Sequence, residues 1–310
     1  MKVVVGGANG LIGKRLVAAL RARGDEVVAL VRKPESAAFA AGTTVAQWDG
    51  KTQGAWAAHL DGADAVVNLA GANVGAKRWN DAWKKEIMDT RIASTAAVVE
   101  AIRAAKQRPA AFVSASAVGF YGDRGDAALD ELAGPGTGFL AEVCQKWEDE
   151  ARTAEPLGVR VALVRTGVVL APEAEGGALQ QMAVPFKLFA GGPIGSGRQW
   201  LPWIHIDDEV ALFLWAIDSK GAAGPINAAA PGAQTMKEFC KALGQALHRP
   251  SWAPVPGAVL KLVVGEFADV LLGGQRLLPK KALDAGFTFR FPESGAALAD
   301  LLGGRGSRAA

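Results

Sequence analysis

Short apolar runs rich in β-branched residues alternate with longer stretches whose apolar positions recur every three or four residues, and the alternation persists to about residue 170. Lys2–Val5 reads as a buried strand, and Leu11–Arg23 as a helix carrying Leu11, Ile12, Leu16 and Leu20 along one face. Glu26–Val31, Thr44–Trp48, Ala65–Leu69, Ala111–Ser116 and Val159–Arg165 continue the strand series, with helices over Trp79–Ala105 and Gly138–Ala154. Strands separated by helices pair side by side in one direction, which predicts an α/β fold built on a doubly wound parallel sheet.

Beyond Gly167 the texture changes. Glycine and proline crowd Pro172–Pro202, leaving one predicted helix near Leu179–Ala190. Trp203–Ile206 is short and apolar, Asp207 is expected to cap a helix running to Ser219, and Pro225–Ala229 is a candidate further strand. Thr235–Leu247 and Ala258–Leu272 read as amphipathic helices, Leu298–Leu302 ends the patterned chain, and residues 303–310 are expected to fray. The division expected is 1–170, with returning segments at 203–230, against a smaller region made of 171–202 and 231–302.

Composition narrows the functional classes. The chain has 310 residues, half of them hydrophobic, and its 34 basic and 31 acidic residues leave a net charge of +3. That balance does not imply a nucleic-acid or anionic-membrane partner. No apolar run approaches the ~18 residues of a membrane span, and the opening strand breaks into glycines as no signal peptide does. Cys144 and Cys240 are far apart and read as free thiols of a reducing cytoplasm. His59, His205 and His248 are equally scattered, so no metal site is expected.

The first chemical signal is Gly6-Gly7-Ala8-Asn9-Gly10-Leu11-Ile12-Gly13, joining the first strand to the first helix. Gly7 permits a tight turn, Gly10 lets backbone approach a pyrophosphate, and Gly13 lets the helix pack closely on the sheet. The N–H groups of the helix start then face the anion. The second strand ends in Val31-Arg32-Lys33, where an NAD-selective site would place a carboxylate on the ribose hydroxyl. Arg32 can hold a 2′-phosphate in a two-pronged hydrogen bond, with Lys33 as a second charge, so NADP(H) is the expected cofactor. Asn68-Leu69-Ala70-Gly71 ends the fourth strand with residues small enough to pass beside a nucleoside.

These motifs, with Ser114-Ala115-Ser116 and Trp203-Ile204-His205-Ile206-Asp207-Asp208, resemble the extended short-chain dehydrogenase/reductases of the NAD-dependent epimerase/dehydratase type. Lys77-Arg78-Trp79-Asn80, Thr90-Arg91, Gly119-Phe120-Tyr121-Gly122, Lys146-Trp147-Glu148, Arg165-Thr166-Gly167 and Leu278-Pro279-Lys280-Lys281 narrow the resemblance to the atypical SDR39U1-like (YfcH-like) branch, some of whose members are labelled cell-division inhibitor SulA. The resemblance implies a Rossmann domain that binds NADP(H) and a smaller, mostly helical C-terminal region capping a substrate cleft. It adds Glu86, Arg91, Ser114, Arg165 and Val168 to the expected cofactor contacts. It implies no defined reaction.

The superfamily's proton chemistry uses a Tyr with a Lys four residues later, and a Ser that orients the substrate oxygen. Here Phe139 and Val143 occupy the positions of that pair, and neither can carry a proton. Ser116 stands where the serine belongs, and Tyr121, the sole tyrosine, is the surrogate acid to test. Asp130-Glu131 could supply a carboxylate or form a solvated turn; His205 could act or support its loop. Arg198, Trp200 and Trp203 offer a cation beside flat rings that could hold a sugar nucleotide or plug the cleft roof. Two readings stay open: an NADP(H)-dependent oxidoreductase or nucleotide-sugar epimerase on a small-molecule substrate, and a catalytically silent NADP(H)-binding sensor acting through partners. Use of another nucleotide, such as S-adenosylmethionine, sits poorly with Arg32. The long helices suit either a monomer or a homodimer.

Overall fold

The computed structural model describes residues 1–303; the fraying expected for the tail lies, from residue 304 on, outside the described residues. The chain runs β1 (Lys2–Gly6), α1 (Leu11–Ala22), β2 (Glu26–Val31), β3 (Thr44–Gln47), β4 (Ala65–Asn68), α2 (Asp81–Ala104), β5 (Ala111–Ala117), β6 (Ala128–Leu129), α3 (Phe139–Arg152), β7 (Arg160–Thr166) and β8 (Val168–Leu170). It continues through α4 (Ala178–Lys187), β9 (Trp200–Leu201), β10 (Trp203–His205), α5 (Ile206–Asp218), β11 (Gly224–Ala228), β12 (Gln234–Thr235), α6 (Met236–Leu247), α7 (Gly257–Val264), α8 (Phe267–Leu272), β13 (Arg276–Leu277), α9 (Lys280–Asp284) and α10 (Ser294–Leu302).

Seven strands form one sheet in the order β11-β7-β5-β4-β1-β2-β3, every pair parallel. The side-chain period of two sorts the strands' apolar residues onto two faces. Val3 and Val5 pack under Leu16 and Leu20 of α1 and Phe213 of α5, while Val4, Val28 and Val66 pack against Val98 and Ile102 of α2 and the Trp48–Trp56 pair. A further cluster built on Phe186, Phe239, Leu243 and Leu298 holds the C-terminal helices together. The register sets Gly6 opposite Asn68 and Asn68 opposite Ser114, so β1 and β4 finish level on one edge while β5 runs on beside β7 to Ala117.

Several sequence expectations shift. The cap of α5 is His205, whose Nδ1 accepts from the Asp207 N–H at 3.0 Å; Asp207 lies inside the first turn. Helix α2 starts at Asp81 because Asn80 accepts from the Trp83 N–H. The apolar run Ala258–Leu272 is two helices: Gly265, at φ +67°, ends α7 before α8 begins. The last helix starts earlier than its apolar residues suggest, at Ser294.

Candidate active site

Gly7 adopts φ +72°, and a Cβ there would stand 2.8 Å from the Ala70 nitrogen, so only glycine lets the first loop pass under the β4 loop. Gly10 caps α1 without a side-chain acceptor, and the first intrahelical bond runs from Lys14 N–H to its carbonyl. The N–H groups of Leu11, Ile12 and Gly13 are therefore left for an anion at the positive end of the helix. Asn9 is exposed on the same loop. A Cβ on Gly13 would meet the Gly7 oxygen at 2.5 Å. Gly13→Ala is accordingly expected to lower stability by about 1–3 kcal/mol; a thermal unfolding midpoint equal to that of the wild type would contradict this packing.

Val31 is buried at the end of β2, whereas Arg32 and Lys33 project into solvent, and neither side chain has a partner among the described residues. The Asn68 side chain accepts from Ala70 N–H and donates to Ser94 and Thr95, which fixes the Leu69-Ala70-Gly71 shelf. Arg91 donates to the carbonyls of Ala72 and Ile87 and lies over Trp147, its stem against Gly71. It thus buttresses the shelf from behind. Thr90, part of the Thr90-Arg91 motif but not among the expected cofactor contacts, holds the next residue by accepting from Ala72 N–H at 3.0 Å. Glu86 is half exposed, 3.7 Å from Lys51, and Val168 is half-buried at the start of β8.

Other expected contacts go elsewhere. Ser114 is wholly buried in the sheet and donates to the Ala115 carbonyl. Arg165 is 3% exposed: Nε and Nη2 grip both oxygens of Glu148, and Nη1 donates to the Tyr121 hydroxyl at 2.8 Å. These donors leave Arg165 turned inward rather than toward a cofactor. Ser116 spends its proton on Glu148 Oε1 at 2.6 Å. Tyr121 donates to Asn227 Oδ1 at 2.6 Å, and burial pushes its phenol up to about 12. Such a group stays protonated near neutrality and is a weaker acid than free phenol. The catalytic roles expected of Ser116 and Tyr121 are therefore not what this arrangement offers: both belong to a closed interior chain, Ser116–Glu148–Arg165–Tyr121–Asn227. Asn227 extends it by donating to the carbonyls of Leu129 and Leu278, and Glu131 accepts from the N–H groups of Asn227 and Lys281.

Phe139 and Val143 join an apolar cluster instead of an acid–base pair. Phe139 meets Trp79 edge to face at 5.3 Å, and Trp79 touches Phe267 of α8 at the same distance. Of the three residues expected to face a substrate, Arg198 is exposed; Trp200 is half-buried, bonded to Asp126 and covered by Arg276. Trp203 is interior, packed with Phe239 and Phe291, and offers no surface. His205 stacks on Phe291 with Nε2 3.4 Å from Asp300; burial depresses it to about 4, so it stays neutral.

One buried acid escaped sequence reading. Glu209, fully enclosed on α5, accepts from the Thr166 hydroxyl at 2.7 Å, and burial pushes it up to about 8. Its folded pKa lies above the unfolded one, so this contribution to stability is complete below about pH 4.5 and lost as pH rises through about 8. Glu209→Gln should flatten that decline, giving a melting temperature above the wild type's at about pH 9. Parallel melting curves for the two proteins across this range would refute the assignment.

The profile of the NAD dependent epimerase/dehydratase family matches residues 3–229, and that of a domain of unknown function (DUF1731) matches residues 255–301. The epimerase family protein SDR39U1 homolog, chloroplastic, of Arabidopsis thaliana is 44% identical over 299 residues, covering 94% of this chain and 84% of that one. The crystal structure of human epimerase family protein SDR39U1 (isoform 2) with NADPH superposes with a TM-score of 0.88 at 38% identity, over 98% of this chain and 99% of that one. MoeE5, solved with UDP-glucose and NAD, shares the fold at 20% identity and a TM-score of 0.75, over 98% of each chain. With the parallel sheet, the glycine loop and the shelf beyond β4 in register, the chain belongs to the NAD dependent epimerase/dehydratase family.

Proposed function

We propose that the protein binds NADP(H) across the carboxyl ends of β1, β2 and β4 and acts on a small-molecule substrate as an oxidoreductase or nucleotide-sugar epimerase. The observation that carries this reading is the open helix start at Leu11–Gly13 beside the unpartnered Arg32 and Lys33. The human relative solved with NADPH supports it. When bound, the nicotinamide would supply or accept hydride. The chain's own residues do the rest: the Leu11–Gly13 N–H groups bind the diphosphate, Arg32 and Lys33 the 2′-phosphate, and Leu69-Ala70-Gly71 supports the nucleoside. Ser116 and Tyr121 hold their hydroxyl protons in internal hydrogen bonds, which favours a proton donor other than these two. Both cysteines are buried and free, in keeping with a reducing compartment such as the cytoplasm.

That same commitment favours a second reading, a silent NADP(H)-binding sensor. Titration with NADPH and NADH, followed by energy transfer from tryptophan, tests the shared claim; a failure of both to bind would reject both readings. Substrate-dependent NADPH oxidation across a panel of ketones and sugar nucleotides then separates them.

A further inference from the structure

The net charge of the whole chain conceals a local imbalance. Residues 176–206 and 239–265 contain no Asp or Glu, yet hold Lys187, Arg198, Lys241, Arg249 and Lys261. The fold brings parts of these two stretches together. Beyond α4, Phe189 takes φ +60°, a left-handed conformation rare for an aromatic residue. Trp252 donates from its indole nitrogen to the Phe189 carbonyl at 3.0 Å, and the Arg249 guanidinium lies 4.5 Å from the centre of the Phe189 ring. Leu188, Phe189 and Trp252 are 72%, 57% and 67% exposed. Beside them Arg249, Lys241 and His248 line an open hollow of about 640 Å³, and no carboxylate pairs with Arg249 or Lys241 among the described residues.

From this we infer that the Leu188–Phe189–Trp252 knuckle, with its Arg249–Lys241 rim, docks on an anionic lipid bilayer. Tryptophan and phenylalanine beside arginine and lysine match the two layers of such a surface: apolar side chains enter the acyl boundary and cations meet the headgroups. The shape favours a bilayer over an acidic peptide. Peptide helices are taken up in apolar grooves, whereas these three apolar side chains are exposed and the adjoining open hollow is lined by Lys241 and Arg249. Among the described residues no helix is long and apolar enough to cross a membrane, and the contact proposed is one with the bilayer surface. The knuckle lies outside the glycine loop and shelf, and the inference stands apart from the proposed chemistry.

Co-sedimentation with phosphatidylcholine vesicles, with and without phosphatidylserine, tests it. Binding is expected only to the anionic vesicles and should weaken as salt is raised. The pair Lys241→Glu and Arg249→Glu should reduce partitioning by at least about tenfold, since each cation near an anionic surface contributes of order 1 kcal/mol. Phe189→Gly, which suits the left-handed backbone, should also reduce it; circular dichroism and NADPH titration check that the variants remain folded. No sedimentation with either vesicle would overturn the proposal. So would concentration-dependent dimerisation lost in Phe189→Gly without lipid binding, which would assign the knuckle to a second copy. Binding to poly-glutamate that is lost in the Lys241→Glu and Arg249→Glu pair, with no binding to vesicles, would assign the rim to an acidic protein.

Discussion

Replacing Glu148 with leucine is expected to destabilise the fold by about 3–5 kcal/mol, because it strands the Arg165 guanidinium in a sealed interior. Glu148 accepts from Arg165 Nε and Nη2, each at 2.8 Å, and from Ser116 at 2.6 Å, and both members of the ion pair are nearly inaccessible to water. Removing one partner leaves a charge that cannot be rehydrated without opening the β5–β7 edge. Removing both is expected to be far milder: Glu148→Leu with Arg165→Met should recover most of the loss, as apolar replacements of buried pairs do. Denaturant unfolding of the two single variants and the double variant closes the cycle. A single-variant loss below about 1 kcal/mol would mean that Arg165 reaches solvent when its carboxylate is gone.

Arg32→Asp carries the second large effect. It replaces the cation at the end of β2 with a carboxylate, which repels a 2′-phosphate but can accept from a ribose hydroxyl. Charge-assisted hydrogen bonds contribute about 1.5–3 kcal/mol, so NADPH affinity should fall by about ten- to a hundredfold while NADH affinity changes only a few fold. The side chain is exposed and has no partner among the described residues, so the fold should be untouched. Equal losses for the two nucleotides in a fluorescence titration would show that Arg32 does not read the phosphate.

The glycine loop was legible because its demands are local: a positive φ at Gly7 and a close approach at Gly13 can be met by almost nothing else. The strands were legible because a sheet covered on both faces needs runs such as Val3-Val4-Val5 and Val27-Val28. The pairing of Glu148 with Arg165 was not, since it depends on the register that sets Ser116 opposite Arg165, a relation between segments 49 residues apart in numbering (165 − 116). Sequence placed Ser116 correctly at the end of β5 but could not say which way its proton points. The Ala258–Leu272 run misled for a different reason: its apolar residues are continuous, and only the backbone at Gly265 divides it. Net charge was the bluntest guide of all, because summation over 310 residues erased the acid-free stretches that meet at Phe189.

The strand order has a consequence for biosynthesis. β11 completes the sheet beside β7, yet residues 167–223 must be made between them. At ribosomal rates of about 5–20 residues per second, the β7 edge waits roughly 3–11 s for its neighbour. During that interval a run of Val161, Leu163 and Val164 presents unpaired backbone, the condition under which nascent chains pair with one another. Arrival of β11 also delivers Asn227, whose amide ties Leu129 and Leu278 to the hydroxyl of Tyr121. A helper that shields strand edges during translation would therefore matter most for this protein over that window, and slow codons placed just before residue 224 would lengthen it.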